Sequence, residues 1–370
     1  METHLMTTPQ LVSPAEIQTT LSKIWESLEG SNKVRASLFN LIFFTEKNTR
    51  EPYLRKIAQK VIEKFPSRLI FISYDKNSTQ EYLNTSVSVI TAQKAECDVA
   101  CDFIQIEVTP SFEKRVPFLL LSHLLPDLPV YFLWGEDPTK DTPLCTSLEK
   151  LATRLIFDSE STDNLPKFAE ALLRHHQEMH IEIADLNWAR LESIRDLLAQ
   201  AFYSKERLQD LQKAKKIRIT YNAHATASFC HTKIQSLYLQ AWLASQLNWS
   251  FKEMKQEGKE QHFFYKKDKQ ETTFLLSAED HSTLPPGLIL NLEIETEDGI
   301  DYLFTRSLTA LSQITQIIST PDHCEIPCHY LFEKAESGHS LVKEISRKGT
   351  SHHYLKVLQQ LTTMEKKALC

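Results

Sequence analysis

The stretch Ser37-Leu-Phe-Asn-Leu-Ile-Phe-Phe44, within the apolar run Ala36 to Phe44, decides the fold. Apolar side chains fall on nearly every position with no alternation, as in a strand covered on both faces. Outward from it, residues 51–65 place Leu54, Ile57, Ala58, Val61, Ile62 and Phe65 on one helical stripe, and Pro66-Ser67-Arg68 ends that helix. Leu69-Ile70-Phe71-Ile72-Ser73-Tyr74 is a second apolar run. Strand, amphipathic helix and strand make a β-α-β unit, whose strands run parallel through a right-handed crossover.

The alternation extends both ways. Residues 1–14 read as frayed, and Ser13 with Pro14 caps a helix carrying Ile17, Leu21, Ile24, Trp25 and Leu28, closed by Gly30. Val87 to Ile90 and Phe103 to Val108 read as strands that can form a local antiparallel pair. Pro117 to Leu125 reads as a helix, Val130 to Trp134 as a buried strand, Leu144 to Ala152 as a helix and Leu155 to Phe157 as a strand. Residues 163–180 make another helix. This predicts an α/β domain with an open, mostly parallel sheet covered by helices. A helix over 185–203, with Leu191, Ile194, Leu198, Ala201 and Phe202 on its apolar face, and a charged helical connection from Ser204 to Lys215 follow.

Beyond residue 215 the pattern changes. Ile217 to Tyr221 is a strand, and Ile234 to Leu247 is a helix apolar on most sides. Strand-like stretches then come in series: Trp249 to Met254, Gln261 to Lys266, Thr272 to Ser277, Leu288 to Glu295 and Tyr302 to Arg306, with a last helix over 351–366. Such a series predicts a smaller α+β domain with an antiparallel sheet, giving domains over 1–215 and 216–370.

Length and composition narrow the function. The chain has 370 residues, 42% hydrophobic and 24% charged, as suits a two-domain globular protein. A net charge of -6 argues against nucleic acid as the main partner. The basic runs Lys213 to Lys216 and Lys366-Lys367 read as helix ends, where cations are favoured. No stretch is apolar for the ~18 residues a spanning helix needs, and Met1 to Pro14 shows no secretory pattern, so no membrane partner and a cytoplasmic setting are expected. Seven cysteines, an odd number, fit reduced thiols. Seven glycines, none close enough together to cradle a phosphate, argue against a dinucleotide cofactor.

Few constellations carry chemistry. His323-Cys324 and Cys328-His329 offer four ligand types in seven positions but lack a second knuckle, so an edge strand or loop with Pro327 is the favoured reading and no metal is assigned. Cys97 and Cys101 are not in redox spacing. The pairs His175-His176 and His352-His353 read as solvated helix faces. No Gly-x-Ser-x-Gly elbow exists, and no catalytic residue is assigned. The most unusual segment is Asp185-Leu-Asn-Trp-Ala-Arg-Leu191, continuing to Arg195. Trp188, Arg190 and Arg195 are of the types enriched at interface hot spots, and Asp185 is placed as an N-cap. An equally weighted reading puts Trp188 in a core.

These landmarks resemble a known family. Ser37 to Phe44, Phe65-Pro-Ser-Arg68, Leu124-Leu-Pro-Asp-Leu-Pro-Val-Tyr-Phe-Leu-Trp134, Arg154-Leu-Ile-Phe-Asp-Ser159 and Asp185 to Leu191 with Arg195 occur together, and in this order they are similar to the glucose-6-phosphate dehydrogenase assembly protein family, OpcA. The resemblance covers roughly residues 35–203, and continues more weakly through Tyr221 and the helix Ala241 to Leu247 with Trp249. Ile194 stands where relatives carry a second Trp, and nothing aligns from about residue 310 onward. The resemblance implies a Rossmann-like, non-enzymatic protein that promotes assembly and activity of glucose-6-phosphate dehydrogenase in the oxidative pentose phosphate pathway. Activation in some relatives is linked to redox state, a role that no cysteine here takes from sequence. Asp185, Trp188, Arg190 and Arg195 are then the candidate partner contacts. The competing expectation is a sugar-phosphate enzyme of isomerase or lactonase type, with Ser73, Asp75, Asp158 and Ser159 at the carboxyl edge of the sheet.

Overall fold

A computed structural model of the chain describes residues 5–30, 33–92, 98–140, 142–258, 260–332 and 338–368. The chain divides into two compact units that interleave along the sequence. The first comprises Met1–Ser161, His175–Leu186 and Ser337–Gly349, the second Thr162–Arg174, Asn187–Glu336 and Thr350–Cys370.

Among the described residues, the first unit holds a ten-stranded sheet. Its strands are β1 (Leu5–Met6), β2 (Gln10–Val12), β3 (Lys33–Arg35), β4 (Asn40–Glu46), β5 (Arg68–Tyr74), β6 (Leu83–Ala92), β7 (Asp98–Val108), β8 (Val130–Trp134), β9 (Arg154–Phe157) and β10 (Glu182–Asp185). Helices α1 (Ile17–Ser27), α2 (Glu51–Lys64), α3 (Val116–Leu121) and α4 (Pro143–Glu149) alternate with them, and α5 (Leu165–Met179) ends in this unit. The expected β-α-β unit is β4, α2 and β5. The two strands pair in parallel, with Phe43 opposite Phe71, and α2 lays Leu54, Ile57 and Val61 on this core. Each such buried side chain contributes about 1.5–3 kcal/mol. The i,i+4 Glu51–Arg55 ion pair along α2 adds only ~0.3–0.5 kcal/mol, so the stripe holds the helix. The expected antiparallel pair is β6 with β7, Val87 lying opposite Ile104.

The amino terminus departs from expectation. Residues 1–14 are not wholly frayed, because β1 and β2 pair antiparallel with β6. Two- and three-residue strands carry no period for a sequence to display. Ser13 caps as expected, in a box with Glu16, but on a 3-10 turn that precedes α1. His175 also differs from the solvated reading. It is half-buried, its ring edge-on to Trp134 and its Nδ1 2.8 Å from Glu149.

Among the described residues, the second unit carries an eight-stranded sheet. After α6 (Leu186–Arg190), which starts at the first unit's last residue before the crossing, come α7 (Glu192–Ala201) and α8 (Lys205–Gln212). The expected single helix over 185–203 is thus two helices, with Asp185 still in β10. The sheet follows: β11 (Ala214–Asn222), β12 (Ser250–Glu257), β13 (Glu260–Lys267), β14 (Gln270–Glu279), β15 (Ile289–Thr296), β16 (Asp301–Arg306), β17 (Gln313–Ser319) and β18 (Cys328–Leu331). Neighbours are antiparallel except β11 and β14, which pair in parallel. Helix α9 (Ile234–Leu247) lies between β11 and β12 in sequence, and its near-continuous apolarity matches burial of Leu239, Ala241, Leu243 and Ala244. Asn248 ends it in the left-handed region, which Asn tolerates. Helix α10 (His339–Ser346) belongs to the first unit, and α11 (His352–Ala368) to the second. Among the described residues, no helix is long and apolar enough to cross a membrane.

Candidate functional site

Six of the first unit's strands are parallel and lie in the order β7-β5-β4-β8-β9-β10. Counted along the chain this is 3-2-1-4-5-6, the doubly wound order that binds dinucleotides where the strand order reverses. Here the reversal lies between β4 and β8. Such sites need glycines between the first strand and its helix, so that backbone N–H groups can meet a pyrophosphate.

In this chain that turn reads Lys47-Asn-Thr-Arg50 and has no glycine. Its space is filled by the chain's own side chains. Glu136, two residues past β8, sends one carboxylate oxygen to the Glu46 N–H at 2.9 Å, the Thr45 hydroxyl at 3.0 Å and the Asn48 amide at 3.0 Å. Arg50 donates to the Gly135 carbonyl at 3.2 Å and pairs with Asp158 at 2.7 Å. A carboxylate and a guanidinium therefore stand where a ligand anion and its counter-charge would meet the strand ends. Burial raises the Glu136 carboxyl above the ordinary range, outweighing the hydrogen bonds from Glu46 and Thr45 that oppose it. Gly135 is required here for close approach: a Cβ would stand 2.7 Å from Leu54 Cδ1 and 2.8 Å from the Phe44 carbonyl.

The polar residues expected at this edge are all engaged within the fold. The Ser73 hydroxyl donates to Glu51 at 3.0 Å. Asp75 accepts from the Tyr82 hydroxyl at 2.6 Å, and that bond holds its carboxyl below the usual range. Asp158 carries the Arg50 pair. The Ser159 N–H and hydroxyl donate to Asp185 at 2.9 and 3.1 Å. Asp185 is fully buried and directly precedes α6, the position expected of a cap. Sequence reasoning missed Glu136 and Arg50. Only the apolar strand ahead of Gly135-Glu136 hinted that this pair ends at the carboxyl edge.

The remaining candidates lie in the second unit. Trp188 is 2% exposed and Arg195 8% exposed. Arg195 donates to the Trp188 carbonyl and lays its guanidinium on the Trp188 ring. Arg190 is half-buried, bonded to Asn187 at 2.6 Å and 5.1 Å over the Phe229 ring.

The cysteine and histidine motifs are also placed. Cys324 bridges to Ser319, and Cys328 opens β18 opposite Gln316. His323 meets the Thr320 hydroxyl at 3.1 Å, and His329 the Thr315 hydroxyl at 3.0 Å. Among the described residues, no group of three or more His, Cys, Asp or Glu is arranged to hold a metal. Cys101 is buried with its Sγ toward the Ala36 carbonyl. Its sequence neighbour in the motif, Cys97, lies outside the described residues, as do the side chains of Lys366 and Lys367. The basic run at Lys213 caps α8 and runs into β11, where Lys216 pairs with Glu295 at 3.0 Å.

Comparison with known proteins gives the lineage. Residues 58–174 match the family described as the glucose-6-phosphate dehydrogenase subunit N-terminal domain, and residues 181–358 match its C-terminal domain. The second match reaches well past residue 310, where the sequence reading found no alignment. The OpcA protein of Nostoc punctiforme, provisionally named an OxPP cycle protein, is 27% identical over 197 residues, which are 52% of this chain and 40% of that protein. Its namesake from Synechocystis is 30% identical over 152 residues, 41% of this chain and 30% of that one. The matched stretches thus span less than half of these relatives. Among solved structures, levoglucosan dehydrogenase in complex with NADH and L-sorbose superposes with a TM-score of 0.52 at 9% identity, over 90% of this chain and 98% of that one, a likeness of fold alone. Two family matches that together run from residue 58 to 358, on a sheet of doubly wound order, place this chain in the OpcA family of glucose-6-phosphate dehydrogenase assembly proteins.

Proposed function

We propose that the chain is a non-catalytic partner of glucose-6-phosphate dehydrogenase, which it binds so as to favour the active oligomer or conformation. The family supports the pathway and the partner. The single observation that carries the non-catalytic half is the Glu136 carboxylate on the Glu46 N–H, with Arg50 locked to Asp158 beside it. A dinucleotide or sugar phosphate entering there would have to displace a paired internal anion. In this reading the α/β part is residues 1–215, and the smaller α+β part is 216–370.

A helper shifts its partner only by differential affinity for the partner's two states. It therefore contacts a surface that differs between them. The segment from Asp185 to Arg195 is our candidate for that contact, with Arg190 as the reachable side chain and Asp185, Trp188 and Arg195 fixing its shape. The test is to titrate the cognate dehydrogenase with this protein while following activity and, by light scattering, complex size. A saturable rise in activity with a larger complex is expected. No binding and no effect, with both proteins folded, removes the proposal.

A further inference from the structure

We infer that the second unit binds a small amphipathic anion in a cavity of about 550 Å³ at the β12 end of its sheet. The volume falls within the ~300–1,000 Å³ of sites that enclose small ligands. Its apolar wall comes from three layers of the unit: Leu237 of α9, Phe251 and Phe263 of β12 and β13, and Leu361 and Met364 of α11. The lining also carries four charged or titratable groups, Asp163, His231, Lys233 and Glu253.

Charge pairing sets the sign of the ligand. Asp163 faces His231 at 3.3 Å, an ion pair when that imidazole is protonated, and Glu253 pairs with Lys255 at 2.9 Å. Both acids thus have a partner within the unit. Lys233 is exposed and has no ion-pair partner among the described residues. The lining therefore ends on an uncompensated cation beside an apolar interior. Helix α9 opens at this wall too, with Lys233 as its N-cap and no side chain capping it, so its positive end adds to the same sign. An apolar body with a carboxylate or phosphate head matches both halves. The lining shares no residue with the filled edge of the first unit's sheet, and the inference stands whether or not the dehydrogenase proposal does.

The test uses the full chain and three probes of equal tail, octanoate, octyl phosphate and octylamine, by thermal shift and titration calorimetry. Saturable stabilisation by octanoate, by octyl phosphate or by both is expected, with none from octylamine, and the stronger anion names the head group. Leu237→Trp fills the cavity and should abolish the shift. Lys233→Glu should weaken binding about tenfold or more. If circular dichroism shows Leu237→Trp misfolded, Met254→Trp, on a partly exposed edge residue, serves instead. Equal stabilisation by octylamine, no saturable effect of either anion, or an anion effect that survives in a folded cavity-filling variant overturns the inference.

Discussion

The guanidinium carbon of Arg195 lies 3.4 Å from the centre of the Trp188 ring, and Tyr354 stacks on that indole at 5.5 Å. The most distinctive residues of the 185–195 segment therefore hold one another in place. Trp188→Ala should lower stability by about 3–5 kcal/mol in urea unfolding, the range for removing a buried aromatic. Arg190→Ala, which gives up a bond to Asn187 and a contact with Phe229, should cost less, about 1–2 kcal/mol at this half-buried site. Paired assays then separate shape from contact. If folded Arg190→Ala activates the dehydrogenase as well as the parent does, Arg190 is not the contact.

Glu136 should give the chain an unusual pH signature. Its folded carboxyl titrates above the ordinary range because burial penalises the anion. A raised folded pKa contributes stability that is complete below the unfolded value and lost as pH rises through the folded one. All three donors reach the same oxygen, so the amide oxygen of Glu136→Gln can keep them. The variant should match the parent in acid and gain on it as pH climbs above the usual carboxylate range toward neutrality. Denaturation midpoints across that span would show it, and a constant difference would refute it.

Asp102 should behave in the opposite sense. It is buried, and burial opposes its charge, yet hydrogen bonds from Arg35 and Trp25 and the charges of Arg68 and Arg35 hold its carboxyl below normal. A depressed folded pKa contributes stability above the unfolded value that is lost as pH falls through the folded one. Asp102→Ala should cost about 3–5 kcal/mol at neutral pH, since it leaves the buried Arg68 uncompensated. A loss under ~1 kcal/mol would show the pair to be dispensable.

The exposed thiols Cys324 and Cys328 should not bridge each other in the native fold. They lie across from Ser319 and Gln316, three positions apart on β17. At ~3.3 Å per residue that is about 10 Å, beyond the ~7 Å limit between disulfide Cα atoms. Diamide treatment followed by alkylation and mass spectrometry should recover both as single thiols. A 324–328 bond would mean that β18 leaves β17.

The parallel sheet was legible because strands such as Leu69-Ile-Phe-Ile72 are buried on both faces and are apolar throughout, with one amphipathic helix between them. The pair β6 and β7 was legible from the β-branched and aromatic stretches Val87 to Ile90 and Phe103 to Val108. Strand β17, Gln-Ile-Thr-Gln-Ile-Ile-Ser, alternates buried with half-buried residues and carried a signal the reading passed over. Strand β18 carried none, being four residues of which three are exposed. Trp188 in sequence suits either a core or a contact, and its depth follows from Tyr354, far along the chain. The filled edge was not legible at all, since it depends on which of 48 acidic residues reaches the turn after β4.

The interleaving of the two units bears on the order in which the chain can fold. Arg154, on β9, is 2% exposed and binds Glu344 at 2.7 Å and the carbonyls of Arg347 and Gly349 at 2.8 and 3.2 Å, all about 190 residues later. A nascent chain leaves the ribosome amino end first. The first unit is thus begun early and finished late, its buried guanidinium waiting for residues that emerge after the second unit's sheet. A fragment cut at residue 215 inherits that waiting state permanently, and the whole chain passes through it on every synthesis.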